Sequence, residues 1–543
     1  MIRRKGKHVA AAFVLAAAAV CFTGGFARAG EYGQGNAGYL KSATYYSDDW
    51  IINFWNSESK HMDEELAQIA EDGFNSIILV VPWREFQPDI APCRYNTYAW
   101  EKLDRVMDEA QAHGLGVMLR VGYTWDYYSS ESVLERYEKL MYEETVQNAW
   151  LEYVERLYVR ASAHENFCGG FLTWEDFWNF TDNAASMGED ENGIVMAEIC
   201  GYRDYAQRTY SLEELSKLYG HVFSSYEQLY FPAGNSPARK VFYGFYDEFL
   251  NELLAKSQAV FPDLSMEVRL DGDPVEKGDG SKEVFVHGST FPCGGASFTS
   301  TMYGIPMGFE NNYEKVTAAE ALEKIPAFMN LLFTYNGGKP VYIDQFLFTD
   351  NTAGFEYNAK LLEEEKAAYL EGAAPIFKAM TMGYGIWTYR DYGDNKLYNA
   401  QFALEKRGWS FSGGSSIVRR NGSNEAVIPG GGRISQEIGN RTTGTAGKNT
   451  TVRFLLEGEG DCRVTVTVAG KSKTVAAGEA RMAEVTFEKC NPVNLTISCS
   501  GTGIAYVDDV NVFTFVTQGN LYNIDGSEGS CIEPLRRLNA QLQ

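Results

Sequence analysis

Two aliphatic runs separated by one helical pattern constrain the fold of this chain more than any other feature. NSIILVVPW (Asn75–Trp83) and LGVMLRVGY (Leu115–Tyr123) are continuous apolar stretches. They are too short for helices and too uniformly apolar for a sheet with one face in water. The segment between them, Tyr98–His113, carries apolar residues at helical spacing and stops at Gly114. Strands buried on both faces and joined through a helix pair in parallel, with a right-handed crossover.

The same alternation extends in both directions. WIINFW (Trp50–Trp55) reads as a first strand, followed by a helical pattern from His61 that stops at Gly73. A helical region from Ser132 to His164 leads into GGFLTWEDFW (Gly169–Trp178), a short apolar run that stops at a tryptophan and two acids. Helical segments at Ser211–Leu229 and Tyr246–Phe261 precede MEVRL (Met266–Leu270), and SFTSTMYG (Ser297–Gly304) reads as a sixth strand. A helix over Ala318–Leu332 leads to KPVYIDQFLF (Lys339–Phe348), and another over Leu361–Met380 leads to YGIWTYRDY (Tyr384–Tyr392). Eight strands are the number that closes a barrel whose interior side chains just fill. An open doubly wound sheet is the alternative, but no glycine-rich phosphate loop follows any early strand.

Beyond Asn395 helical periodicity ends, and short alternating runs such as RVTVTVAG and VNLTISC take over. They predict an antiparallel sandwich. The expected organisation is therefore a leader at 1–29, a (β/α)8 TIM barrel at 30–397, an all-β jelly-roll sandwich at 398–517 and a tail at 518–543. The tail reads as a connector with a short helix.

The leader has its own pattern. Arg3, Arg4, Lys5 and Lys7 precede an apolar core from Ala10 to Phe22 and then Ala27-Arg28-Ala29, which predicts a secretory signal cleaved before Gly30. That apolar run is too short to span a bilayer, and no later stretch is long enough. The expected location is secreted, periplasmic or at the cell surface, without a membrane span. The formal charge is −24, and removing the five basic residues of the leader makes it about −29. Such acidity argues against nucleic acid as a partner and suits neutral or cationic substrates. Eight cysteines remain after the leader, with no Cys-x-x-Cys pair, and the five remaining histidines are scattered, so no metal site is expected.

The chemistry lies at the strand ends, where a barrel builds its site. Reading them in turn gives Trp55; Trp83 with Arg84 and Glu85; Arg120 with Tyr123; Trp174 with Glu175; Asp271 with Asp273; Tyr303; Asp344 with Gln345; and Trp387 with Arg390. This mouth is rich in acids and aromatics, and it implies no cofactor. Glycoside cleavage needs two carboxyls across the bond and rings that stack on sugar faces, and little more. Trp174, Phe177 and Trp178 offer Glu175 an apolar wall that would raise its pKa, as a general acid requires.

Over Trp50–Tyr392 the chain resembles clan A of the glycoside hydrolases, retaining barrel enzymes that include family 5 endoglucanases and family 42 galactosidases. The resemblance is carried by FNSIILVVPWREFQPD, by YNTYAWEKLDRVMDEAQAHGLGVMLRVGY and by Trp387 on the last strand. It implies that Glu175 is the general acid/base ending strand four, although Trp174 stands where the clan has asparagine. It places Tyr303 on strand six near the nucleophile. The clan's nucleophile is a glutamate ending strand seven, and here that position is Gln345, whose amide cannot form a glycosyl ester.

Three resolutions stay open. Asp344 acts after a small shift in register; or another carboxylate, such as Asp271, Asp273 or Glu85, activates water in an inverting enzyme; or the barrel binds glycan without cutting it. The sandwich resembles carbohydrate-binding jelly rolls through GWSFSGG, GGGRISQEI and YVDDVNVF, with a structural buttress as the other reading. Trp409 is its single tryptophan.

Overall fold

The computed structural model of the chain describes residues 38–122, 134–173, 191–232, 234, 236–270, 273–305, 307, 309, 313–349, 357–395, 397–438, 448–491, 493–516 and 521–542. At its centre eight parallel strands close into a barrel. They are β1 (Leu40–Thr44), β2 (Ser76–Val81), β3 (Gly116–Val121), β4 (Phe167–Leu172), β5 (Ser265–Val268), β6 (Thr299–Gly304), β7 (Val341–Leu347) and β8 (Gly383–Ile386). Each pairs with the next, and Leu40 opposite Gly383 closes the ring.

Seven of these strands lie on the runs read from the sequence. The first does not: WIINFW forms no strand, Asn53–Asn56 is a buried 3-10 turn, and LKSAT is β1 instead. Packing inside the barrel gives the reason. Tyr342 of β7 fills the interior and donates to Ser42 Oγ at 2.7 Å, and Ser42 and Ser76 hydroxyls lie 2.6 Å apart. A large ring on one strand leaves room only for small side chains opposite, so β1 lacks an aliphatic signature. Gly385 on β8 meets the same constraint, because a Cβ there would sit 2.4 Å from Ile78 Cδ1.

Helices α1 (Met62–Glu71), α2 (Thr97–Ala112), α3 (Glu144–Ala161) and α4 (Arg239–Gln258) follow the first four strands; α5 (Ala318–Tyr335) follows β6 and α6 (Lys366–Met380) follows β7. Between β5 and β6, among the described residues, a hairpin (Asp273–Glu276 with Lys282–Phe285) replaces a helix. The segment after it is fastened to α4: His287 Nδ1 lies 2.6 Å from Asp247 Oδ1, and Ser289 donates to Oδ2 at 3.0 Å.

The helix that completes the ring comes from the far end of the chain. α7 (Ile532–Gln541) packs on α6, and Asn539 joins it to β8, β1 and the end of α1. Its Oδ1 accepts from Tyr384 at 2.6 Å, its carbonyl accepts from Lys41 at 3.1 Å, and its Nδ2 donates to the Asp72 carbonyl at 2.9 Å. Arg536 Nε donates to Asp72 Oδ1 at 2.7 Å. The tail's helix is thus a barrel element, filling the groove between strands eight and one.

Two antiparallel sheets occupy the chain between β8 and α7. Alternation holds along Cys462–Val468, where Val464, Val466 and Val468 are buried between the sheets and Arg463 points out. β9 (Tyr392–Asn395) leaves the barrel and pairs with the long strand Ile504–Val516. Gly393 is pinched at this junction: its N–H donates to Asp48, its carbonyl accepts from Trp50, and a Cβ would meet Phe513 at 2.3 Å. Arg407 Nη1 donates to Asp89 Oδ1 at 2.8 Å, adding a link from the sandwich to the loop after β2. Among the described residues no helix is long and apolar enough to cross a membrane.

Candidate functional site

Tyr123, Trp174, Glu175 and Asp271 lie outside the described residues. The interior just below the C-terminal ends of the strands is described, and it holds a connected polar cluster. Neighbours on a strand ordinarily point to opposite sides. Between β6 and β7 the register slips, with Thr301 opposite Ile343 and Met302 opposite Gln345. Asp344 is the extra residue of a bulge, and both Asp344 and Gln345 turn inward, which is how a bulge re-aims side chains.

Arg120 of β3 is the hub. Its Nη2 donates to Thr173 Oγ1 at 2.9 Å and lies 3.0 Å from Glu267 Oε2 on β5. The orientation of the Gln345 amide that satisfies its neighbours points the oxygen at Arg120, 2.5 Å from Nη1 and 2.8 Å from Nη2. Arg269 Nε donates to Glu267 Oε1 at 2.8 Å, and Ser300 Oγ donates to Asp344 Oδ2 at 2.6 Å. The cluster is shut away: Asp344 is 1% exposed, Glu267 0%, Arg120 2% and Gln345 6%.

The two acids part in protonation. Burial, and then the charge of Glu267, pushes Asp344 well above the usual carboxyl range. Burial works on Glu267 in the same direction, but Arg120 and Arg269 outweigh it, and a hydrogen bond with Asp344 helps hold it below its usual value. Of the two, Asp344 therefore holds a proton more tightly and Glu267 is the acid that the arginines keep charged. Such a pair offers a donor and an acceptor side by side.

Other residues expected at the mouth sit elsewhere. Trp55 and Trp83 are fully buried, their indole nitrogens donating to the Val80 carbonyl at 2.8 Å and to Gln87 Oε1 at 2.6 Å. Neither ring has a face left for a sugar; both are core packing, with Trp83 edge-on to Trp150. Tyr303 is likewise buried and packed edge-on to Phe328. Trp387, in a cis peptide with Thr388, is closed over by Tyr46 and Trp50. Arg390 turns outward from the barrel axis and donates to Glu65 Oε1 at 2.6 Å. Arg84 and Glu85 form a buried pair at 3.5 Å.

Glu267, Arg269 and Ser300 were not among the residues read from the sequence. The signal for the first two is MEVRL itself, where charges alternate with apolar residues on a strand closed in on both faces. In the sandwich, Trp409 is packed against Phe402 and donates to the Asn399 carbonyl, so it offers no exposed ring. Asp509 accepts from Gln401 at 2.7 Å and from the Glu58 N–H at 3.2 Å, acting at the junction of the two domains. Among the described residues Asp63, Glu109 and His113 alone bring three ligand atoms within 4.8 Å, and there His113 and Asp63 already form an ion pair at 2.8 Å.

No family model matches the chain, and no curated protein matches it. Solved structures are similar to it at low identity. A GH5_18 protein from Streptomyces cattleya in complex with GlcNAc is 13% identical, with 66% of this chain and 72% of that one covered and a TM-score of 0.40. The β-galactosidase from Rahnella sp. R3 is 14% identical over 66% of this chain and 51% of its own, with a TM-score of 0.45. TmCBM61 in complex with β-1,4-galactotriose is 19% identical over 22% of this chain and 97% of its own, with a TM-score of 0.19. At these values no residue role transfers, and the barrel rests on its own strand register.

Proposed function

We propose that this protein is an exported glycoside hydrolase acting on a poly- or oligosaccharide. Glu175 protonates the leaving oxygen, and a carboxyl of the Asp344–Glu267 pair serves the opposite face. The observation that carries this reading is the reach of Arg120. It holds Thr173, two residues before Glu175, together with Glu267 and Gln345, so one side chain ties the end of β4 to the bulge in β7. Those are the two strand ends that the resemblance marks for opposed carboxyls. The signal-like leader supports export.

The test is a screen of oligosaccharides with wild type and Glu175→Gln. The expected result is cleavage that falls by about 100-fold or more in the variant, the loss typical of a missing general acid. Cleavage unchanged by the substitution removes Glu175 from its role.

One observation favours a second reading, glycan binding without cleavage. At the position where the resemblance expects the nucleophile, Gln345 presents an amide to Arg120, and an amide forms no glycosyl ester. Gln345→Glu separates the two. A pure binder gains cleavage from the substitution, whereas an enzyme that works through Asp344 and Glu267 gains none.

A further inference from the structure

A cleft of about 610 Å³ lies away from the barrel axis, where the loop after β1, the first turns of α1, the segment after β8, the sandwich and the tail before α7 meet. That volume is in the range of small-ligand sites, roughly 300–1,000 Å³, which favour domain interfaces. Acids dominate the lining: Asp48, Asp49, Glu58, Glu64, Asp509 and Asp525. Most of the bases there are already engaged. Arg390 is bound to Glu65 at 2.6 Å, and Arg453 lies 3.6 Å from Asp48 and 3.5 Å from Glu484. Among the described lining residues Lys60, whose charge acts on Asp509, is the remaining Lys or Arg, so the described lining carries excess negative charge.

Asp49 adds an independent observation. The residue is 3% exposed, Ser57 donates to its Oδ2, and its Oδ1 has no hydrogen-bond partner. Buried Lys102 acts on Asp49 through its charge, but its ammonium donates to the carbonyls of Phe54 and Ser57. Burial, and then Asp48, pushes Asp49 up to about 8, and burial raises Asp509 as well. An orphaned buried acceptor among further carboxyls is satisfied by a ligand that brings N–H donors and positive charge.

We propose that this cleft binds a cationic stretch of glycan, amino sugars with free amines, beside the barrel mouth. The sugar part rests on the reading of the barrel as carbohydrate-active; the cationic part rests on the cleft alone. A bare divalent ion fits less well. It needs several oxygens converging within one coordination shell, and among the described residues no three acids of this cleft bring their oxygens within 4.8 Å of one another. A chain of ammonium groups and hydroxyls meets carboxyls that are spread along a surface.

Isothermal titration of the full chain with the β-1,4-linked glucosamine trimer tests this, alongside the N-acetylated trimer, spermidine and calcium. The free-amine trimer is expected to bind at least about 10-fold more tightly than the acetylated one, a difference of about 1.4 kcal/mol, and to weaken as salt screens the contacts. Asp49→Ala, which removes the orphaned oxygen outright, is expected to weaken it about 10-fold. Should that variant fail to fold, Glu64→Gln combined with Asp525→Asn, both on exposed side chains, is expected to weaken it about 3-fold. Equal binding of both trimers, no binding at millimolar concentration, or indifference to these variants overturns the proposal. Spermidine binding as tightly as the trimer overturns the sugar assignment, and calcium binding lost in Asp49→Ala overturns it in favour of a metal. Loss of trimer binding in Glu175→Gln would place the ligand in the barrel instead. Absence of glycan cleavage bears on the barrel reading and leaves this titration untouched.

Discussion

The surroundings shift Asp344 and Glu267 in opposite directions, Asp344 up and Glu267 down, so substitutions at the two positions are expected to be unequal. Asparagine at 344 keeps a donor toward Glu267 and an acceptor toward Ser300, and it replaces the acid of the pair that holds its proton more tightly. Asp344→Asn should therefore change stability by less than about 1 kcal/mol at about pH 4, where Asp344 is protonated folded and unfolded, and should be the more stable protein as pH rises. Glu267→Gln strips the countercharge from buried Arg120 and Arg269 and should destabilise by about 3–5 kcal/mol. Urea unfolding of both variants measures the contrast, and equal losses would contradict the assigned proton. The pH dependence follows from the same shift. The folded pKa of Asp344 lies above the unfolded value of about 3.9, so its contribution is full below that value and is lost as pH rises toward the folded pKa. Wild type should lose stability relative to Asp344→Asn at about 1.4 kcal/mol per pH unit above about pH 4, until the folded pKa is reached. A gap that stays constant from pH 5 to 8 would show Asp344 ionised in the folded chain. Glu267 shifts the other way, and its contribution is lost as pH falls through its lowered folded pKa. These roles were only partly legible in the sequence. Arg120, Asp344 and Gln345 stand at strand ends and could be read there, whereas Glu267 becomes a partner only once the barrel closes and turns alternate residues of MEVRL inward.

At the scale of elements, α7 behaves as the helix after β8 although about 145 residues separate the two in the chain. Leu535 and Leu538 are fully buried against the barrel. Leu538→Ala should cost about 2–5 kcal/mol, the range for a core leucine, whereas an accessory tail would give a change within about 0.5 kcal/mol. Thermal or urea unfolding decides between them. Aliphatic runs marked the second and third barrel strands most clearly, because both faces of those strands are covered. β1 escaped because Tyr342 takes the space its side chains would fill, and WIINFW drew attention because Trp50 and Trp55 pack over the barrel. The bulge at Asp344 left no trace in the residue pattern, since it is set by how β6 and β7 align. The jelly-roll reading foresaw the antiparallel sheets; that the tail after them completes the barrel depends on contacts remote in sequence.

For the whole molecule, the consequence is that the barrel is built from two separated stretches of chain with the sandwich inserted between them. Truncation after Asn395 removes the sandwich but also α7, leaving Tyr384 without Asn539, and the Asp72 carboxylate without Arg536 and Tyr522. Excision of 396–512 is different. Asn395 and Phe513 are direct antiparallel partners, so a two-residue Asn-Gly turn can join them as a hairpin without moving either strand. The shortened chain keeps β9, the four residues 513–516 that pair with it and α7, and loses the sandwich contacts such as Arg407 with Asp89. We expect the excised protein to remain monodisperse and to unfold cooperatively, and the truncated one to aggregate or to lose cooperative unfolding. Size-exclusion chromatography and circular dichroism on the two proteins measure this directly. If the truncated barrel folds as well as the excised one, α7 is an accessory and the groove between strands eight and one closes without it.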